Sequence, residues 1–386
     1  MADLGEIMRG EAAEYLRTHG ATPVQHKAIR AVTRCRTQEA GTVTVKCGQC
    51  DDPYRLFCSC RNCSCPSCQG EARAKWLAAR FEEILPVDYL HVVFTTPSEL
   101  NVLALFCPRE FYEALIRAAG QAVIDVGRTV LHAQLGCINE LQTWTQLMAL
   151  DPHAHCAVPA GGFSEDGTRW ISFQPKDLPA TALAKRFRSL LCKRIRKAAQ
   201  QGKFKQLPST ISVEQLLAEV ITLEWKVYAE PAFGGPQKLF EYLARYTYRV
   251  AITNDRIESY ENRQVTFRRR DRRHGKQVKR SSMHGQEFVR RWLLHVPPRR
   301  FVRIRSYGFL GNRNRKRNLE RARQLIGKGN QTPRSLSPQP LQLLRLCPKC
   351  FEQSRRDRAL HFAPPPECES QIDLPLRSPP IRPVAA

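Results

Sequence analysis

Acidic residues are scarce in this chain: 36 Asp and Glu stand against 61 Lys and Arg, a formal charge of +25. Such a field opposes compaction and is of little use to an enzyme of small metabolites. It suits a polyanionic partner, nucleic acid ahead of an anionic membrane surface. No apolar run is long enough to span a bilayer. The N-terminus, MADLGEIMRGEAAEYL, lacks the apolar core of a signal peptide. These absences lead us to expect a soluble, intracellular protein without a membrane partner. No internal repeat is visible, which excludes a repeat array.

Cysteine, by contrast, is plentiful. Inside a cell, fifteen cysteines are metal ligands or buried thiols rather than disulfides. Eight of them fall between Cys35 and Cys68, in a window too polar and too short to fold on a core of its own. Cys47-Gly48-Gln49-Cys50 and Cys65-Pro66-Ser67-Cys68 are two CxxC knuckles about fifteen residues apart, the spacing of a zinc ribbon. The reading favours Cys47, Cys50, Cys65 and Cys68 around one structural zinc, with Cys60 as a competing ligand. Cys35, Cys58 and Cys63 could build a second site. Cys347-Pro348-Lys349-Cys350 is a third CxxC, read as an incomplete knuckle because no partner pair follows it.

The 386 residues suffice for two or three domains. Residues 5–33 read as helical with an exposed basic-polar face, and Gly70–Leu85 as a helix. Strands are expected at Tyr89–Thr96, Cys137–Leu147, His153–Ala160 and Glu224–Glu230. An Asp-Gly hairpin is expected after Gly161. Helices are expected at Phe111–Ala133, Leu183–Gln201 and Pro236–Tyr248, the last with Pro236 in its first turn. Short strands from Val250 to Arg273, a helix near Gly285–His295, then a strand and a basic helix complete the body. From 327 onward Pro and Ser rise, as in a disordered tail. The division is 1–84 (helices and zinc module), 85–326 (main domain) and 327–386 (tail).

The stretch DPHAHCAVPAGGF holds His153 and His155. On a strand both point to one face, about 7 Å apart, and can bind one divalent cation. Alone, two surface histidines explain it equally well. Further on, FGGPQKLFEYLARYTYRVAI carries Tyr242 and Tyr246, one helical turn apart on one face. A divalent ion, two tyrosines and a basic chain together suggest phosphodiester chemistry: metal polarisation of the phosphate and in-line attack by a phenolic oxygen. Arg245 and Arg249 set cations beside the tyrosines. Arg268, Arg269 and Arg270 in FRRRDRRHGKQVKR, with Arg303, Arg305 and Arg313 nearer the C-terminus, offer phosphate contacts. Phe267, Trp292, Tyr307 and Phe309 are candidates for stacking on bases.

Five blocks stand in order: SCRNCSCPSCQGEARAKWL, LPVDYLHVVFTTP, DPHAHCAVPAGGFSEDGTRW, FGGPQKLFEYLARYTYRVAI and RIRSYGFLGNR. On these the chain resembles the two-tyrosine HUH rolling-circle transposases of the insertion sequence ninety-one group. The resemblance implies an α+β fold: an antiparallel-sheet HUH endonuclease domain flanked by helices, preceded by a small cysteine-rich zinc-binding module. It implies His153 and His155 as ligands of Mg or Mn, and Tyr242 and Tyr246 as nucleophiles. It also implies structural zinc, and single-stranded element ends and target DNA as partners, in the bacterial cytoplasm at the nucleoid. The chain departs from the pattern at Ser64, at Gln142 (where many members have His) and near Glu230. Gln142 and Gln146 are therefore the candidates for a third metal ligand. Two competing readings remain: a zinc-ribbon DNA-binding protein without catalysis, and a metallohydrolase that uses the HxH to activate water.

Overall fold

A computed structural model describes residues 2–47, 49–247, 251–271, 277–327 and 349–350. The N-terminal part holds α1 (Leu4–His19), α2 (Pro23–Arg34), the hairpin β1 (Thr42–Lys46) and β2 (Pro53–Phe57), and α3 (Gly70–Glu83). Then follow β3 (Tyr89–Thr95), α4 (Asn101–Phe106), α5 (Pro108–Leu131), β4 (Gly136–Trp144), β5 (Leu150–Pro159), β6 (Gly161–Phe163) and β7 (Trp170–Ser172). Next come α6 (Ala180–Gln200), α7 (Val213–Thr222), β8 (Val227–Pro231) and α8 (Gly235–Thr247). The described chain continues with β9 (Ile257–Glu261), β10 (Gln264–Asp271), β11 (Gln277–His284), α9 (Gly285–Leu293), β12 (Ile304–Gly308) and α10 (Arg315–Ile326). Among the described residues, no helix is long and apolar enough to cross a membrane.

The main sheet has the order β12-β4-β5-β3-β8, with every neighbouring pair antiparallel. Its middle strands are buried almost throughout, because helices cover both faces. Along a strand, side chains alternate between faces. One face presents Leu90, Val92, Phe94, Leu141, Ala154, Cys156 and Val158 to α5 and α6, building the largest apolar core around Phe111, Leu115 and Phe187. The other face carries Ile138, Tyr89 and Ala157 against Leu239, Phe240 and Leu243 of α8.

A second sheet, β11-β10-β9, packs with α9 against α1 and α2. Here the structure departs from the expected exposed N-terminal helices. Leu4, Ile7, Met8, Ala28, Ile29 and Val32 join Phe267, Phe288 and Trp292 in one core, so apolar contacts cross the expected boundary at residue 84. Local signals still set the helix ends. Asp3 accepts from the Glu6 amide, and Thr22 with Gln25 forms a capping box ahead of Pro23. Glu11 is buried and bonded by Arg263 and Tyr260, which pins α1 to the β9–β10 turn.

The expected strand over 137–147 stops at Trp144. The Thr145 hydroxyl accepts from the Leu147 and Ala149 amides and closes a turn into β5. Of the tail from 327 onward, only Gly327, Lys349 and Cys350 fall within the described residues.

Glu113 of α5 and Arg305 of β12 tie the outermost strand to the helix layer, Nη1 to Oε1 2.8 Å. The Arg305 guanidinium, assisted by Arg117, holds the Glu113 carboxyl down to about 2. The folded value lies below the unfolded one, so this contribution is complete above the usual carboxylate range and is lost as pH falls towards 2. Glu113→Gln should therefore lower Tm at neutral pH, and the gap to wild type should close near pH 2.5 in thermal melts. A gap that ignores pH would count against the pair.

Candidate active site and cysteine centres

The polar side of the main sheet forms at the pairing of β4, β5 and β3. His153 lies opposite Gln142 and Thr95, and His155 opposite Glu140 and Val93, so all of these side chains share one face. Both histidines are buried, with ring centroids 4.9 Å apart and the rings edge to face. His153 Nδ1 lies 2.6 Å from the Asp151 carbonyl oxygen, to which it donates; this leaves Nε2 with its lone pair outward. His155 Nε2 lies 3.0 Å from Gln142 Oε1. The Gln142 amide nitrogen donates to the Trp144 carbonyl, so Oε1 is the atom turned to His155.

A third histidine, not singled out from sequence, completes the cluster. His91 of β3 brings Nε2 within 2.9 Å of His155 Nδ1, and the two rings stack at 5.1 Å. Burial, reinforced by His153, drives the His91 imidazole down to about 4, so it is neutral near pH 7. The sequence carried one signal for it: a histidine inside the otherwise apolar YLHVVFT, in register with Ala157, two residues beyond His155 on β5. Glu230 of β8 faces His91 across the strands, and burial raises its pKa. Gln146, the other candidate third ligand, sits in the turn after β4 rather than on the strand, away from Gln142's pairing with His153.

Helix α8 lies over this face. It is entered through Gly234 and Gly235, both left-handed (φ +70° and +82°), a conformation that side chains with a Cβ resist. Phe240 wedges between Trp76 of α3 and Tyr89 of β3. That anchoring sets the Tyr242 ring 5.3 Å from His91 and 5.8 Å from His155, edge-on to both. Tyr246 belongs to the next turn of α8, but its side chain is outside the described residues, as is all of Arg249. Arg245 is exposed on the same helix.

The cysteines separate into two groups, which corrects the expected ligand set of Cys47, Cys50, Cys65 and Cys68. Cys35, Cys60, Cys65 and Cys68 bring their sulfurs within 4.8 Å of one another. The Cys35–Cys68, Cys65–Cys35 and Cys60–Cys68 separations are 3.3, 3.7 and 3.7 Å. Thiolates held about 2.3 Å from a tetrahedral zinc stand about 3.8 Å apart, so the four fit one ion. The Cys65 thiol, donating to Cys60, draws the Cys60 pKa down to about 5, whereas burial pushes Cys35 up to about 12. Cys47 and Cys50 lie instead with Cys350. The reason is the hairpin. The chain leaves the first group after Cys35, runs along β1, turns through the 47–50 knuckle and returns along β2 to Cys58, whose amide bonds Gly41. Five strand residues carry the knuckle about 16 Å away from the base. Ser64, where the resembled family has His, is buried beside Cys65.

Residues 7–96 match the family model described as "Transposase zinc-binding domain", and residues 136–318 the one described as "Putative transposase". The "Putative transposase y4qJ" of Sinorhizobium fredii (strain NBRC 101917 / NGR234) is 37% identical over 370 residues, covering 91% of this chain and 93% of that one. The "Transposase for insertion sequence element IS801" of Pseudomonas savastanoi pv. phaseolicola is 25% identical over 308 residues, covering 78% and 74%. The chain belongs to the insertion sequence ninety-one family of transposases. A solved structure titled "Conjugative Relaxase Trwc In Complex With Orit DNA. Metal-Bound Structure" covers 42% of this chain at 13% identity, and its TM-score of 0.23 is too low to relate the two folds.

A transposase acts on DNA, and the cationic candidates of this one are dispersed. Arg305 is bound to Glu113 and lies over Phe301, on the sheet face opposite the histidines. Arg268 pairs with Glu258 at 3.8 Å, Arg269 bonds Ser281, and Arg270 is exposed on β10. The Arg303 carbonyl accepts from the Leu141 amide at the start of β12's pairing. Arg313 is exposed and lines a basic hollow with Arg315, Lys316 and Arg317. The expected stacking platforms are corrected: Phe267, Trp292 and Phe309 are buried, and Tyr307 packs against the main core. Their sequence neighbours are basic, but strand and helix periodicity turned the rings inward.

Phe240 is the anchor that holds α8 to the sheet. Phe240→Ala should destabilise the transposase by about 3–5 kcal/mol in denaturant unfolding. A loss under about 1 kcal/mol would show that α8 is held elsewhere.

Proposed function

We propose that this transposase nicks and rejoins single-stranded DNA at element ends through a 5′-phosphotyrosine on Tyr242 or Tyr246, in rolling-circle fashion, in the cytoplasm at the nucleoid. The observation that carries this reading is the Tyr242 ring lying edge-on to His155 and His91 over the polar face. The division into a helical and zinc-binding part (1–84), an HUH endonuclease domain (85–326) and a tail (327–386) belongs to the same proposal.

The donor set fits a divalent ion. His153 offers Nε2, and His155 Nε2 stands 3.0 Å from Gln142 Oε1, the spacing of two adjacent ligands with metal bonds of about 2.1 Å. We assign His153, His155 and Gln142 as the ligands. When bound, Mg or Mn would polarise the scissile phosphate and offset its growing charge. The tyrosine Oη gives its proton to solvent and bonds to phosphorus. The P–O3′ bond breaks, and the departing 3′-oxygen takes up a proton. The phosphodiester energy is kept in the tyrosine ester, so an incoming 3′-OH can reverse the step and join strands. Two tyrosines permit two such transfers without release of DNA.

His91 acts as a positioning residue. For His155 to present Nε2 as a lone pair, its proton must sit on Nδ1, and His91 Nε2 is placed to accept it.

The experiment is covalent trapping. A labelled single-stranded element end, incubated with protein and Mn and then denatured, should give a labelled protein band. That band should vanish with Tyr242→Phe plus Tyr246→Phe. A gel shift without any adduct would favour a DNA-binding module, and free 5′-phosphate ends without adduct a metallohydrolase. His91→Gln should raise the Mn concentration for half-maximal adduct by about 10–100-fold, with adduct recovered at saturating Mn. An unchanged Mn requirement would remove His91 from the assignment.

A further inference from the structure

We propose that Cys47, Cys50 and Cys350 form a second structural zinc site, which clips the C-terminal segment of the chain to the tip of the N-terminal hairpin. Their three sulfurs lie within 4.8 Å of one another, although Cys50 and Cys350 come from opposite ends of the sequence.

The backbone at Cys47 and Asp51 closes a tight turn. The Cys47 amide donates to the Asp52 carbonyl, and the Asp51 amide to the Cys47 carbonyl at 3.1 Å. Asp51 adopts a left-handed conformation, φ +56°. A turn this tight brings both thiols of a CxxC to one side, as a tetrahedral ion requires. Cys47 is also buried, at 1% exposure, while the strands on either side of the knuckle are almost wholly exposed. A two-stranded hairpin with so little buried apolar surface does not hold its shape unaided, and small modules of this kind use metal in place of a core. Cys350 arrives at that tip from the Cys347-Pro348-Lys349-Cys350 motif, a CxxC for which the sequence had offered no partner. The first centre, Cys35 with Cys60, Cys65 and Cys68, is complete with four thiols of its own and needs none of these three.

Three converging thiols exceed what one disulfide consumes, and the proposed transfer chemistry engages none of them. On binding, each thiol gives its proton to solvent and its sulfur to zinc. The described residues supply three of the four donors that structural zinc takes.

The consequence is topological. The zinc module is not a separate bead at the N-terminus, because its hairpin tip meets Cys350. Zinc removal should free that segment while leaving the main sheet in place.

The test uses the full chain. Wild type should carry about two zinc ions per chain, and Cys350→Ser about one, with Tm falling by a few degrees at most. In wild type with zinc, Cys350 should resist N-ethylmaleimide, with the modified site read by peptide mass, and should react after chelation. It should also react without chelation when Cys47→Ser and Cys50→Ser are combined. An unchanged zinc content in Cys350→Ser would overturn the proposal. So would labelling of Cys350 that is equally fast with and without zinc, or protection that dithiothreitol abolishes while zinc stays bound. Because catalysis is not read, failure here leaves the phosphotyrosine reading untouched.

Discussion

The central sheet is covered on both sides, and that condition governs everything placed on it. Alternation sends Val92, Phe94, Ala154 and Cys156 into the α5–α6 core, while the same strands turn His91, Gln142, His153 and His155 the other way, under α8. Buried polar groups cost several kcal/mol each unless they are bonded. The three histidines and Gln142 meet that requirement through one another and the nearby backbone. Asp151 holds His153, Gln142 and His91 hold the two nitrogens of His155, and the Trp144 carbonyl fixes Gln142. A network closed in this way holds the rings in place; because the Gln142 oxygen only accepts, a metal on His155 Nε2 would require the proton there to move to Nδ1, where His91 can accept it.

The helix that carries Tyr242 is braced from two directions. Beneath it, Leu239, Phe240 and Leu243 pack on the sheet; above it, Trp76 of α3 meets Phe240. Helix α3 emerges directly from the Cys60–Cys68 loop, three of whose thiols converge with that of Cys35. A mechanical line therefore runs from the cysteine loop through α3 to α8 and the tyrosine. In this chain the cysteine module supports the histidine face physically as well as accompanying it in sequence. The α1–α2 pair does similar work elsewhere, closing the core of the β9–β11 sheet through Phe288 and Trp292.

Basic charge is spread rather than concentrated. Some guanidinium groups are engaged within the protein: Arg305, read as a phosphate contact from sequence, on Glu113, and Arg263, not singled out there, on Glu11. Others, such as Arg245, Arg270 and Arg313, remain exposed. Sequence density alone does not distinguish the two kinds, because the partner carboxylate lies far along the chain in each case.

Much was legible without coordinates. Strand and helix patterning located β3 and α8 to within a residue and β4 and β5 to within three, and the shared face of His153 and His155 followed from period alone. Those are local properties, set by how side chains repeat along a strand or helix. Which cysteines meet was decided elsewhere. The β1–β2 hairpin carries Cys47 and Cys50 away from Cys65 and towards Cys350, and no spacing rule reports how far a hairpin reaches. His91 and the inward-turned aromatics were missed for the same reason: their neighbours lie on other strands and helices. The sequence by itself determined the elements, the charge and the inventory of thiols, imidazoles and phenols. Only the tertiary structure decided which of them converge, because convergence depends on sheet register and helix packing between distant segments.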